Sequence, residues 1–177
     1  MADRSRDWRA DLVTTYADLF QPVGDPPRAQ GWPSVDDGWE DLLARACGRI
    51  RAAVLADGGS FHTIQVKEKF GTLRFYWEGD LSPETAAKVE EAVDLAEARS
   101  AVTCEVCGGP GRLHGGRWVT TRCGAHAEGR RPVRVQPGDD TYVFERVVGK
   151  RRSILHGRYD RESDTFVDVA PFGTEET

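Results

Sequence analysis

A chain of 177 residues, 39% hydrophobic and 30% charged, has room for one ordinary domain or a domain with an appendage, built on a core of modest size. Its net charge of −5 argues against a protein whose whole surface coats nucleic acid. No apolar run approaches the roughly 18 residues of a membrane span, and the first residues lack the apolar stretch of a signal peptide, so a cytoplasmic protein without membrane contact is expected.

The first predicted element is a helix over 7–20. Trp8, Leu12 and Tyr16, followed by Leu19 and Phe20, place large apolar groups on one face. Pro22 ends it, and Pro26, Pro27 and Pro33 with Gly24 and Gly31 make 21–35 an extended loop, in which Trp32 is expected to plug onto the core. A second helix is predicted over 37–56, with acids at its start and Trp39, Leu42, Leu43, Ala46, Cys47, Ile50, Ala53 and Val54 at helical spacing. Cys47 lies on that stripe and reads as a small core residue.

Over 61–77 the period changes from 3.6 to 2. Ile64 and Val66 alternate with Gln65 and Lys67; Leu73, Phe75 and Trp77 alternate with Arg74 and Tyr76. This predicts a β-hairpin turning at Glu68-Lys69-Phe70-Gly71. Its polar face, Gln65, Lys67, Arg74 and Tyr76, is either a partner-binding strip or an ordinary solvated surface. Ser82-Pro83-Glu84 then supplies a cap, a proline at the first helical position and an early acid, so a helix is predicted over 82–99.

Cys104-Glu-Val-Cys107 and Cys123-Gly-Ala-His126 are two chelating pairs, each with two intervening residues, separated by fifteen residues. That spacing is a structural zinc ribbon over 101–128, with Cys104, Cys107, Cys123 and His126 as ligands of one Zn2+. Gly108 and Gly124 suit knuckles that bend around a metal. Leu113-His-Gly-Gly-Arg-Trp118 is the hairpin that returns the second pair to the first. A redox Cys-x-x-Cys would need a helix beginning at the first cysteine, which Gly108-Gly-Pro-Gly111 cannot carry. His114 is the rival ligand, and the spacing favours His126. A polar connector occupies 129–138, and strands at 141–148, 153–159 and 165–169 predict an antiparallel meander within 139–177. The fold class is therefore α+β: a body over 1–100, an embedded ribbon packed on it, and the C-terminal meander.

Four protein ligands close the metal site, so no coordination position remains for an activated water. The chain shows no phosphate-binding Gly-rich loop, no Gly-x-Ser-x-Gly and no His-Glu-x-x-His, and His62, His114 and His156 lack a companion at a diagnostic spacing. A non-enzymatic role with no small-molecule substrate is expected. Residues 99–134 carry seven arginines against two acids, a basic island in an acidic chain. Arg112, Arg117, Trp118 and Arg122 join the hairpin strip as candidate partner-binding residues. The expected partner is another protein; the alternative is nucleic acid, with phosphates on the arginines and a base on Trp118, and an unrecognised enzyme stands third.

Several stretches carry a resemblance: Tyr16-Ala-Asp-Leu-Phe20, Asp37-Gly-Trp-Glu-Asp-Leu-Leu43, Gln65-Val-Lys-Glu-Lys-Phe-Gly-Thr-Leu-Arg-Phe-Tyr76, Glu97-Ala-Arg-Ser100, Cys104-Glu-Val-Cys-Gly-Gly-Pro-Gly-Arg112 and Cys123-Gly-Ala-His-Ala127. In this order they resemble an uncharacterised family of small zinc-ribbon proteins carried by bacteria and their phages. The resemblance spans about residues 10–128; the similar proteins stop soon after the histidine, so the meander is expected to be an addition. It implies one compact α+β domain with an embedded ribbon, and an accessory, adaptor or immunity-like role in phage or mobile-element biology.

Overall fold

The computed structural model describes residues 6–169. Asp7 opens the first helix, α1 (Trp8–Thr15), by accepting hydrogen bonds from the Arg9 and Ala10 amides at 3.2 and 3.3 Å. The predicted helix 7–20 is in fact two. Tyr16 leaves helical geometry at φ −110°, ψ 41°, and α2 (Ala17–Phe20) starts in a new direction. The break lets Leu19 and Phe20 reach the interior alongside Trp8, Leu12 and Val13, while the Tyr16 hydroxyl donates to the Ala44 carbonyl at 3.2 Å.

A 3-10 turn, Asp37–Trp39, leads into α3 (Glu40–Asp57). Leu42, Leu43, Ala46, Cys47 and Ile50 of α3 are buried at helical spacing, as the pattern requires. Cys47 is a core residue, and burial pushes its thiol up from the ordinary range. Helix α4 (Pro83–Ser100) has Ser82 as its cap, whose hydroxyl accepts from the Thr85 amide at 3.3 Å. It buries Val89, Ala92, Leu95 and Ala96 and packs along α3.

Strands β1 (Ser60–Lys69) and β2 (Thr72–Asp80) form an antiparallel pair whose inner face completes the core with Phe61, Thr63, Val66, Leu73 and Phe75. The strict alternation predicted for Ile64 and Val66 does not hold. Thr63 pairs with Trp77 and Gln65 with Tyr76, so Ile64 is the extra residue of a β-bulge. Inward-facing residues are odd-numbered before the bulge and even-numbered after it. The hairpin also closes later than predicted, with Lys69 opposite Thr72 and only Phe70 and Gly71 between them.

Strands β3 (Arg112–His114) and β4 (Thr120–Arg122) form the small ribbon hairpin, extended by the chain at 131–133 through Gly115 N–H to Arg131 O and Val133 N–H to Leu113 O. Strands β5 (Thr141–Val148), β6 (Arg151–Asp160) and β7 (Thr165–Asp168) make the meander in that spatial order, close to the predicted bounds; its last predicted residues, from 170, lie outside the described region. Tyr142, Phe144 and Phe166 cluster on one face with ring centroids 4.4–6.1 Å apart, and β5 packs on α4, where Arg146 pairs with Asp94 at 2.5 Å. The β6–β7 turn docks through Asp164. Its buried carboxylate accepts from the Tyr159 hydroxyl at 2.6 Å, from Arg49 at 2.8 Å and from Arg99 at 3.3 Å. Among the described residues no helix is long and apolar enough to cross a membrane.

Candidate metal centre and adjoining groove

Helix α4 ends at Ser100, and the chain turns directly into the first knuckle. The Cys104 carbonyl accepts from Gly108 N–H at 2.9 Å, and the Cys104 amide donates to the Gly109 carbonyl at 2.8 Å. These two bonds close a loop that turns Cys107 back toward Cys104, and Gly108 takes φ 72° within it. Gly124, expected to share that role, has no positive φ. It begins a 3-10 turn, Gly124–His126, which places His126 Nδ1 3.1 Å from Cys123 Sγ and 3.6 Å from Cys104 Sγ. Cys107 and Cys123 sulfurs are 3.9 Å apart. All four donor atoms lie within 4.8 Å of one another, so the cluster can hold a metal ion. None of the four cysteines forms a disulfide. His114 is elsewhere: it is buried in the ribbon hairpin with Nδ1 2.9 Å from the Arg112 carbonyl.

The Cys104 thiol is prepared for ligation by its surroundings. Burial works to raise it, but the amides of Cys123, Cys107 and Val106 and the Cys107 thiol outweigh burial and bring it down to about 6.

The residue that fastens this knuckle to the body is Glu105, whose place between two cysteines gives no local sign of burial. Its side chain is buried, and Oε1 accepts from the Thr121 amide at 2.6 Å while its own amide donates to the Thr121 carbonyl at 3.0 Å. Its carbonyl accepts from Gly38 N–H at 2.7 Å. Burial pushes the Glu105 carboxyl up, against the opposing pull of the Thr121 amide and Arg122. Gly38 must be glycine here, since a Cβ would collide with the carbonyl oxygens of Cys104 and Glu105. On either side of it, Asp37 accepts from Trp8 Nε1 at 2.8 Å and Arg9 at 2.9 Å, and Trp39 Nε1 donates to the Thr103 carbonyl at 3.0 Å. The Asp-Gly-Trp stretch is thus the joint between α1 and the ribbon.

A second joint lies at the hairpin tip. Thr121 Oγ1 donates to the Gly71 carbonyl at 2.6 Å, and Gly71, at a φ of 77° that disfavours other side chains, packs against Leu113 and the Thr120 backbone. Beside it, Leu73 N–H donates to Ser100 Oγ at 2.8 Å.

Between the loop at 32–36, the hairpin tip and β4 these joints enclose a groove of about 850 Å³, adjacent to the metal knuckle. Pro33, Val35, Phe70, Trp118 and Val119 contribute apolar wall, and Arg9, Lys69, Arg122 and Arg130 contribute positive charge. Trp32, expected as a plug, is half-buried against the core, under the Arg28 guanidinium, and also lines this groove. Phe70 and Trp118 are 68% and 71% exposed.

The candidate partner-binding residues do not form one surface. Trp118 and Arg122 line the groove; Arg117 is exposed next to Trp118; Arg112 is exposed on β3. Arg122 is held by Asp36 at 3.4 Å and Glu105 at 3.5 Å. Gln65, Lys67 and Tyr76 lie on the outer hairpin face, away from the groove lining, with Lys67 Nζ 5.6 Å from the Tyr76 ring centre. Arg74 from the same strip is committed within the fold, to Glu97 and to Thr72 Oγ1 at 2.7 Å. Phe70 and Lys69, turn residues by sequence, also line the groove, and the sequence carries a signal for this: a two-residue turn favours Asn, Asp or Gly where this chain has Phe.

Comparison with models of known protein families, with curated proteins and with solved structures returned no match.

Proposed function

We propose that this is a zinc-stabilised, non-enzymatic interaction protein that binds another protein through the groove between its hairpin tip and its ribbon. The observation that carries the reading is the pair of exposed aromatics, Phe70 and Trp118, lining a groove whose walls are locked by buried hydrogen bonds. Exposed aromatic side chains on a rigid frame are what protein recognition uses as anchors. An accessory, adaptor or immunity-like role, in keeping with the resemblance to ribbon proteins of bacteria and phages, fits this reading.

Zinc suits the donor set. Three thiolates and an imidazole around an ion bound at about 2.3 Å from sulfur and 2.0–2.1 Å from nitrogen give tetrahedral edges of roughly 3.5–3.8 Å. The 3.6 and 3.9 Å separations match these edges, and the 3.1 Å Cys123–His126 edge is tighter. With Cys104, Cys107, Cys123 and His126 all engaged, an ion would tie the two knuckles of the ribbon together, leaving no coordination position for an activated water. Cysteines that serve as metal ligands and form no disulfide suit a reducing compartment, and we place the protein in the cytoplasm on that ground.

The reading is tested by affinity purification of the tagged full chain from its native host, beside Trp118→Ser. A stoichiometric protein that is present with the parent and lost with the variant supports it; repeated recovery of the chain alone sinks it. Nucleic acid is the second reading, favoured by the exposed Arg117 and Arg131, which have no carboxylate within 4 Å among the described residues.

A further inference from the structure

We infer that the groove is built to take an extended peptide segment carrying a large apolar side chain beside a carboxylate. The inference rests on the protein-binding reading above and names its ligand. It begins with a residue in the wrong place. Phe70 sits at φ 56° in the two-residue turn Phe70-Gly71, a left-handed conformation that side chains other than Asn, Asp and Gly adopt at a cost. Its ring gains nothing from the core in return, since it is 68% exposed. A bulky side chain kept in a strained, solvent-facing position at the edge of a cavity points to use by a ligand.

The rest of the groove says what that ligand is. Trp118, 71% exposed, lines the same cavity from the ribbon side, as do Pro33, Val35 and Val119. The groove is therefore apolar at its walls and large enough, at about 850 Å³, for a few residues of extended chain. Its charges divide into two sets. The lining carboxylates are already used: Asp36 and Glu105 face Arg122, and Glu68 Oε1 accepts from the Gly71 amide at 2.6 Å. Of the lining cations, Arg9 faces Asp37, Arg122 faces Asp36 and Glu105, and Arg130 lies 3.6 Å from Glu128. Lys69 alone among them has no carboxylate within 4 Å among the described residues, and its Nζ stands 5.4 Å from the Phe70 ring centre. Outside the lining, exposed Arg117 adjoins Trp118 in the chain and has no such partner either. What is left to a ligand is thus apolar surface with unpaired positive charge beside it. A phosphodiester chain following the groove would pass Asp36 and Glu68, whereas a peptide can set an apolar side chain there and a carboxylate against Lys69.

The test pans a displayed library of random decapeptides on the zinc-loaded full chain, with the Phe70→Asn/Trp118→Ser double variant as counter-selection. Asn is at home at φ near 56°, so Phe70→Asn leaves the turn intact, and an unchanged or raised melting temperature shows that the fold survives. The expected result is a consensus with Leu, Phe or Trp beside Asp or Glu. In fluorescence anisotropy that consensus peptide binds the parent about thirtyfold more tightly than the double variant, and more weakly as salt rises. Labelled dT12 and rU12 are measured in parallel. A basic or absent consensus, equal binding to the double variant, or tighter binding of either oligonucleotide overturns the inference. If a native partner is lost with Trp118→Ser while no peptide is selected, protein binding stands and the linear acidic ligand falls.

Discussion

Phe70 and Gly38 show how single positions in this chain answer to opposite demands. At Phe70 the backbone asks for Asn or Gly and the chain supplies an exposed aromatic. Phe70→Asn is expected to raise stability by about 1 kcal/mol, seen as a higher urea midpoint at unchanged slope. A lower midpoint would show that the ring supports the fold after all. Gly38 is purely structural, because its hydrogen faces the carbonyl oxygens of Cys104 and Glu105. Gly38→Ala forces the knuckle off the body and is expected to cost about 2–3 kcal/mol; a loss below ~0.5 kcal/mol in the same urea measurement would contradict a close seam between Gly38 and the knuckle. Glu105 belongs with Gly38: it reads as an ordinary charged residue between two cysteines, and nothing in its local sequence announces that it is buried.

At the scale of elements, the ribbon and the meander are fastened by different physics. The ribbon brings four metal donors together, and its fastening is proposed to depend on an ion held there. Elemental analysis is expected to give about one zinc per chain, and a strong chelator should abolish hydrogen-exchange protection at Glu105 and Thr121 while α3 stays protected. Metal-free protein with those amides still protected would remove the ion from the stability of the groove. The meander depends on charge. Burial works to raise the Asp164 carboxyl, but the Tyr159 hydroxyl and Arg49, with Arg99, outweigh it and hold it below the ordinary carboxylate range. A carboxyl depressed in the folded state contributes stability above its unfolded pKa, about 3.9, and that stability is lost as pH falls through the lower folded value. Asp164→Asn is expected to cost about 3 kcal/mol near neutral pH and to flatten the acid side of the stability curve relative to the parent. Parallel acid profiles for the two proteins would deny Asp164 this role.

At the scale of the whole molecule, the seven arginines of the 99–134 island divide by their partners. Arg99 and Arg122 are spent on Asp164 and on Asp36 and Glu105, and Arg130 lies 3.6 Å from Glu128. What remains for a partner is narrower than the linear count of charge suggested. Non-specific binding to a single-stranded 12-mer is therefore expected to be weak already at about 50 mM salt, with a shallow salt slope. Tight binding that collapses between about 50 and 200 mM would favour the nucleic-acid reading over the protein one.

The metal cluster was legible in the sequence because chelation is local: two ligands in each short knuckle, at spacings that only a few geometries satisfy. Helices α3 and α4 were legible for a similar reason, their caps and apolar stripes being written within a few residues. The Phe70-Gly71 turn, the Ile64 bulge and the break at Tyr16 were harder, because each is settled by where the rest of the core needs a side chain to point. Only the tertiary structure decided that Asp37-Gly-Trp39, the hairpin tip and Cys104-Glu105 meet at one seam. It alone separated the arginines held by carboxylates from those left at the surface. Contacts of this kind join residues dozens of positions apart, as Trp39 joins Thr103 and Thr121 joins Gly71. No local propensity encodes them, since they exist only once packing has brought the elements together.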